Sequence, residues 1–303
     1  MPKVLIGGGS GLVGTRLSQM LSEKGYEVCH LSRNPGQQSE YRTFGWDIKG
    51  QSMDLAAFEG VDYVINLAGA GIADKPWTPE RKKVIIESRA GSNQLLADGL
   101  TQAGHRPKAF LSASAIGFYG DRGEETLTEK SELGQGFLPE STQAWEASLE
   151  AFEELGIPTY AVRLGVVLSL RAKSLKNFLF PTRFFLSPYF GSGKQWMSWV
   201  HIDDVCRLFL FLMDTEPETG VYNGTAPQPV RMKDLMKQVG ETWDRWTLSF
   251  SIPAFLTKLV FGEMAAILLD SARVIPEKAE QSGFRFSLPE LKTALNDLRR
   301  RNV

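Results

Sequence analysis

At 303 residues the chain is long enough for one large domain or two cooperating ones. Hydrophobic residues make up 43% and charged residues 23%, an ordinary globular composition; the formal net charge of −1 argues against a polyanion-binding surface, so nucleic acid is not an expected partner. Two cysteines, Cys29 and Cys206, both in apolar stretches, read as buried thiols of a reducing compartment, and three histidines without a Cys/His pair at ligand spacing argue against a metal site. No uncharged run is long enough to cross a bilayer, and no targeting segment reads ahead of the first strand. The expectation is a cytoplasmic protein with no membrane partner, an organelle matrix being left open.

Val4-Leu5-Ile6 is a wholly apolar run, the pattern of a strand buried on both faces of a parallel sheet. Gly7-Gly8-Gly9-Ser10-Gly11-Leu12-Val13-Gly14 follows at once, then apolar residues at helical spacing (Val13, Leu17, Met20, Leu21) up to Gly25, then a second strand, Val28-Cys29-His30-Leu31. Strand, glycine turn, helix, strand is the context in which a glycine motif binds a dinucleotide. Gly8 lets the chain turn off the strand, Gly11 lets the backbone approach a pyrophosphate, and Gly14 lets the helix pack on the sheet. Free amides at the helix start, at Ser10, Leu12 and Val13, together with the helix dipole, hold the phosphates. An NAD-selective site places a carboxylate roughly 20 residues beyond the glycines to bond the ribose 2′-hydroxyl. Here Ser32-Arg33-Asn34 stands at that point, and a guanidinium there suits a 2′-phosphate, so the expected cofactor is NADP(H).

Tyr63-Val64-Ile65-Asn66-Leu67-Ala68-Gly69 is a third buried strand ending in small residues. A helix over residues 79 to 98 with Pro79 near its start follows, then a strand at Ala109-Phe110-Leu111-Ser112, a helix at about 139–155 and a strand at Thr159–Leu164 closed by Gly165. Strands alternating with helices predict a doubly wound α/β parallel sheet. Lys75-Pro76-Trp77 with Arg81, Lys82 and Lys83 reads either as an anion-holding cluster or as a solvated helix face. The segment 165–200 is rich in aromatics (Phe178, Phe180, Phe184, Phe185, Tyr189, Phe190), which reads either as a pocket wall or as core. Asp203 or Asp204 is expected to cap the helix from Val205 to Met213, with His201 bracing the loop, and Arg299-Arg300-Arg301 to be a solvated tail.

With these elements placed, the chain resembles the short-chain dehydrogenase/reductase superfamily in its extended, epimerase-like branch. The matching pieces are Gly8-x-x-Gly11-x-x-Gly14, Asn66-Leu67-Ala68-Gly69, Ser112 through Gly120, Arg163-Leu164-Gly165 and Trp199 through Val205. Ile72 through Thr78, Arg273-Val274-Ile275-Pro276 and Gly283 through Phe286 are similar to the "epimerase family protein" subfamily, with bacterial cell-division-inhibitor-like relatives. The resemblance implies a Rossmann-type sheet in residues 1–164, with a returning segment near 195–228, and a smaller substrate lobe from 165–194 and 229–303. It implies ligand binding at the carboxyl ends of the strands and, as a superfamily habit, a homodimer through the helices at 79–98 and 139–155.

The same resemblance puts Asp47 near the adenine, Leu67, Ala68 and Gly69 along the adenosine and ribose, and Ser112 under the nicotinamide. Superfamily enzymes use a Ser/Thr with Tyr-x-x-x-Lys, because a lysine one turn on lowers the tyrosine pKa toward neutrality. Counting back from Arg163, the tyrosine position falls on Leu138, the lysine on Thr142, and the closing glutamate on Glu146. Residues 134 to 150 contain neither Tyr nor Lys. Ser114 and Tyr119 are the remaining catalytic candidates, with Ser112 an alternative for the serine role. Two functions stay open: an NADP(H)-dependent reductase or epimerase with an altered proton donor, and a non-catalytic NADP(H) sensor.

Overall fold

Consecutive apolar residues can all be buried only in a strand covered on both faces. The computed structural model, which describes residues 1–36, 39–243 and 246–301, places β1 (Lys3–Gly7) in that setting, at the centre of an eight-stranded sheet. The other parallel strands are β2 (Glu27–Ser32), β3 (Arg42–Asp47), β4 (Tyr63–Asn66), β5 (Ala109–Ala115), β6 (Thr159–Leu164) and β7 (Gly220–Gly224). Their spatial order is β7-β6-β5-β4-β1-β2-β3, and Ser52–Met53 adds an antiparallel edge to β3. The chain runs outward from β1 in one direction and from β4 in the other, so the topological switch lies between them, where Gly7 pairs with Asn66. In such sheets the crevice above the switch is the ligand site. The fold is the Rossmann-like α/β architecture that the resemblance implies.

Val4 and Ile6 pack with Leu17 and Leu21 of α1 (Leu12–Glu23) on one face. Leu5, Val64 and Phe110 point to the other face, against Leu95 and Leu96 of α2 (Pro79–Ala103) and Phe152. Phe110 and Phe152 stack with ring centroids 3.6 Å apart. Each such fully buried side chain contributes about 1.5–3 kcal/mol of hydrophobic stabilisation. α2 starts with Pro79 behind the Thr78 cap, whose side chain accepts the Arg81 amide, and ends at Gly104 in the left-handed conformation (φ 60°). The helix expected at about 139–155 is two pieces, α3 (Phe137–Ala147) and a short turn at Glu150–Glu154.

A second centre of packing holds the C-terminal lobe. Leu175 and Phe178 of α4 (Lys173–Thr182) meet Trp199, then Leu235 and Val239, and finally Leu291 and Leu295. Phe178 is therefore core, whereas Phe180, Phe184 and Phe185 are exposed. Between sheet and lobe runs α5 (Ile202–Thr215), which packs on α1 and leads into β7. Its cap is not the aspartate that the sequence suggests: His201 Nδ1 accepts the Asp203 amide at 3.1 Å. Asp203 is drawn away by Arg16 and Arg301, each at 2.7 Å, and these two guanidinium groups hold its carboxyl far below the usual range against the opposing effect of burial. Asp204 accepts the amides of Ser287 and Leu288, both at 2.9 Å.

The lobe is completed by α6 (Met232–Thr242), α7 (Ala254–Phe261) and α8 (Leu291–Arg300). Two of the three arginines expected in a solvated tail are engaged: Arg301 pairs with both Asp203 and Asp297 at 2.7 Å and Arg299 donates to the Thr242 carbonyl at 2.7 Å, while Arg300 is exposed. Among the described residues no helix is long and apolar enough to cross a membrane.

Candidate functional site

The turn between β1 and α1 is shaped by contacts that leave no room for side chains. Gly8 has φ +77°, and a Cβ there would stand 2.8 Å from the Ala68 amide nitrogen. A Cβ on Gly14 would reach within 2.4 Å of the Gly8 carbonyl oxygen, so helix and turn touch backbone to backbone. A Cβ on Gly11 would meet the Gly8 carbonyl at 3.1 Å, and beyond the adjoining backbone no other described residue comes within 4 Å of it, which leaves the outer side of the turn open. Gly9 is a requirement that sequence reasoning missed: a Cβ would collide with the buried His30 ring, 2.4 Å away. That ring lies 2.8 Å from Ser18 Oγ, and its burial pushes the imidazole pKa down to about 4.

α1 begins at Leu12 with Gly11 as its cap, no side-chain cap and no acidic residue in its first turn. Ser10 and Gly11 are exposed, and Leu12 and Val13 half-buried. A helix start without a side-chain cap, with Ser10 and Gly11 exposed, fits a dinucleotide pyrophosphate.

Opposite the turn lies the loop after β4. The Leu67 amide donates to the Gly7 carbonyl at 2.8 Å, and the Ala68 amide donates to Asn66 Oδ1 at 3.1 Å. Asn66 is completely buried, and its Nδ2 donates to Ser92 Oγ (2.8 Å) and Asn93 Oδ1 (2.6 Å) of α2. This clamp fixes where Leu67, Ala68 and Gly69 stand beside the glycine turn. A polar residue closing an apolar strand is the signal that could have found it.

Arg89, also missed, packs against Gly69, lies 5.0 Å over the Trp145 ring and donates to the Ala70 carbonyl at 3.0 Å. Burial, with nearby Arg81 adding a smaller effect, lowers its pKa to about 10. Arg81 in turn donates to the Gly71 carbonyl at 2.6 Å, while Lys82 pairs with Glu263, so this cluster is not simply a solvated helix face.

At the end of β2, Ser32 Oγ accepts the Asn34 amide at 3.1 Å, and Arg33 is exposed with no side-chain partner among the described residues. Asp47 ends β3, exposed, with Oδ1 accepting the Lys49 amide at 3.0 Å.

The ends of β5 and β6 differ in character. Arg163 makes a two-pronged pair with Glu146, Nε to Oε1 at 2.8 Å and Nη2 to Oε2 at 2.6 Å, with both side chains largely buried. Ser114 Oγ donates to Glu146 Oε1 at 2.5 Å. Tyr119 Oη donates to Asn223 Oδ1 at 2.7 Å and accepts from Arg163 Nη1 at 3.0 Å. Burial raises the Tyr119 pKa, an effect the Arg163 charge only partly opposes.

Tyr119 has no exposed surface and Ser114 almost none, so neither candidate hydroxyl is presented to the crevice in this arrangement. Ser112 is buried as well, its hydroxyl donating to the Ala113 carbonyl at 2.8 Å. Leu138 and Thr142 do stand beside the turn after β5: a Cβ on Gly117 would lie 3.4 Å from Leu138 Cβ and 3.5 Å from Thr142 Oγ1.

The chain is similar to known proteins along nearly its whole length. An epimerase family protein of Staphylococcus haemolyticus is 33% identical over 98% of this chain and 99% of its own length. The crystal structure of a human epimerase family protein with NADPH superposes with a TM-score of 0.87 at 30% identity, covering 98% of this chain and 99% of that one. A nucleoside-diphosphate sugar epimerase from Corynebacterium glutamicum is similar at a TM-score of 0.78 and 30% identity, across 98% of this chain and 58% of its own. Residues 252–298 match a domain of unknown function, DUF1731. Residues 4–223 match the NAD dependent epimerase/dehydratase family, and the chain belongs to that family.

Proposed function

We propose that this protein binds NADP(H) at the β1–α1 turn and acts as an oxidoreductase or epimerase on a small-molecule ligand in the crevice above the switch point. The observation that carries the cofactor choice is the end of β2, where Ser32 and Arg33, the latter without a side-chain partner among the described residues, stand in place of a carboxylate. A guanidinium pairs with a 2′-phosphate, whereas a carboxylate at that point would repel it. The human relative crystallised with NADPH supports the same choice. In this reading the amides of Ser10, Leu12 and Val13 hold the pyrophosphate, Asp47 approaches the adenine, Leu67, Ala68 and Gly69 line the adenosine and ribose, and Ser112 underlies the nicotinamide end.

The bound cofactor would supply hydride chemistry. The chain must then supply a proton without a Tyr-x-x-x-Lys pair, since Leu138 and Thr142 occupy those positions. Ser114 or Tyr119 could serve only after exchanging its bond to Glu146 or Asn223, which leaves ordered water as the simpler donor. That engagement favours a second reading, a non-catalytic NADP(H) sensor. Calorimetric titration with NADPH and NADH, followed by a carbonyl panel monitored for NADPH oxidation, separates them. Selective NADPH binding with turnover supports the enzyme, the same binding without turnover supports the sensor, and equal affinity for the two nucleotides removes the cofactor assignment.

A further inference from the structure

Besides its buried core, the C-terminal lobe turns a second set of apolar residues outward. In α7 the residue facing the protein is Thr257, 1% exposed, while Phe255 (69%), Leu259 (80%) and Val260 (72%) point to solvent. A surface helix ordinarily does the reverse. Beside it, the strand Leu186–Phe190 pairs in parallel with Leu248–Ile252, in register Leu186 to Leu248 and Pro188 to Phe250. The buried residue here is Ser187, whose hydroxyl donates to the Met236 carbonyl at 3.0 Å, while Leu186, Leu248 and Phe250 are exposed.

These pieces join. Phe190 lies 6.4 Å from Phe261, centroid to centroid, and the Phe185 carbonyl accepts the Leu248 amide at 2.8 Å. Phe180 and Phe184 extend the face from the end of α4, with ring centroids 5.6 Å apart. Phe185 holds φ +59°, a costly conformation for a bulky residue, with its ring exposed. An apolar surface of this extent marks an interaction site.

The charges around the face identify its occupant. Residues 176–193 and 246–262 carry Lys176, Arg183 and Lys258 and no aspartate or glutamate, and Glu263, which follows, is engaged by Lys82. Lys173 pairs with Asp74 at 2.6 Å, but Lys176 and Arg183 have no side-chain partner among the described residues. Lys258 is close enough to Asp270 to act on its titration, and no ion pair joins the two. Aromatics, exposed aliphatic residues and unpaired cations together are the composition of a surface that lies in a lipid headgroup region. A second copy fits less well, because it would bring the Lys176, Arg183 and Lys258 cations of both copies to one interface while Glu263 is already engaged by Lys82. The superfamily dimer would instead use α2 and α3, where Lys83, Glu87, Gln94 and Gln143 are exposed.

We propose that the face formed by the end of α4, the Leu186–Phe190 and Leu248–Ile252 strands and α7 docks the protein peripherally on an anionic lipid surface. This departs from the sequence-based expectation of no membrane partner, which rested on the want of a spanning segment; peripheral docking needs none. The proposal is independent of the cofactor reading.

The test is co-sedimentation of the full chain with phosphatidylcholine vesicles and with vesicles also containing phosphatidylglycerol. Binding should favour the anionic vesicles and weaken with salt. Arg183→Ala and Lys258→Ala should each weaken it about fivefold. Leu259→Ser with Val260→Ser should weaken it more than tenfold at an unchanged melting temperature, since both residues are already exposed. Failure to sediment with either vesicle, or equal binding to both, overturns the proposal. So does a concentration-dependent dimer that the Leu259→Ser, Val260→Ser variant makes monomeric without vesicle binding, an outcome that assigns the face to a second copy.

Discussion

The switch-point side of the sheet and the β5–β6 side are built from similar materials, strand ends meeting helices, yet they treat polar groups in opposite ways. At the β1–α1 turn the helix start has no side-chain cap, Ser10 and Gly11 are exposed and Arg33 has no side-chain partner among the described residues, so donors and charge point out of the protein. At the β5–β6 end, Ser114, Glu146, Arg163, Tyr119 and Asn223 satisfy one another inside it. An open constellation has affinity to spend on a ligand, whereas a closed one supplies rigidity. In the proposed reading, the first side carries the recognition chemistry, and the second, with its groups mutually satisfied, carries structural specification.

The largest effects should come from the turn. Gly11→Val places a side chain where, among the described residues, one backbone oxygen is near, so the fold should survive while affinity for both NADPH and NADH falls by about 100-fold or more, read by calorimetry. Gly14→Val, by contrast, drives a side chain into the Gly8 carbonyl and should fail to fold stably. If Gly11→Val binds normally, the open side of the turn is not the ligand side.

On the closed side, Glu146→Ala strands Arg163 in a buried setting and should destabilise the protein by about 3–5 kcal/mol in chemical denaturation. The affinity of the surviving folded fraction for nucleotide should not change. A selective loss of binding would show that the two sides are coupled after all.

Arg33→Ala sharpens the same comparison from the open side. Losing a charge-assisted bond to phosphate should weaken NADPH binding about 10–100-fold and leave NADH nearly unaffected. Equal losses would mean that Arg33 is a solvated cation.

The open side was legible because it is local. An apolar run, the glycine spacing and Ser32-Arg33 all fall within the first 33 residues, and each acts through its own backbone or strand end. The requirement at Gly9 was not legible, because it comes from His30 on the neighbouring strand. The cap of α5 was misread for a similar reason. Aspartate is the better capping residue in isolation, but Arg16 and Arg301, from opposite ends of the chain, hold Asp203 elsewhere. The aromatic segment 165–200 also could not be sorted from its sequence. Phe178 and Phe180 are two positions apart on one helix, and only the position of the lobe core decides which is buried.

The smallest effect lies at the rim of the closed side, and its sign can be worked out in advance. Asp121, two residues after Tyr119, accepts the Ser271 amide at 3.0 Å, and it stands close enough to Asp270 for their charges to interact. Burial first, then Asp121, raises the Asp270 pKa from 3.8 to about 6, with Lys258 opposing. Between those values the folded chain keeps a proton that the unfolded chain releases, so stability is greatest at the acid end and declines as pH rises toward about 6. Above that, a carboxylate remains where burial and a like charge disfavour it. Asp270→Asn should therefore flatten the stability profile across this window and leave the protein more stable than the parent at pH near 7, as read from denaturant midpoints at a series of pH values. An unchanged slope would place the titration elsewhere and leave Asp270 as an ordinary surface carboxylate.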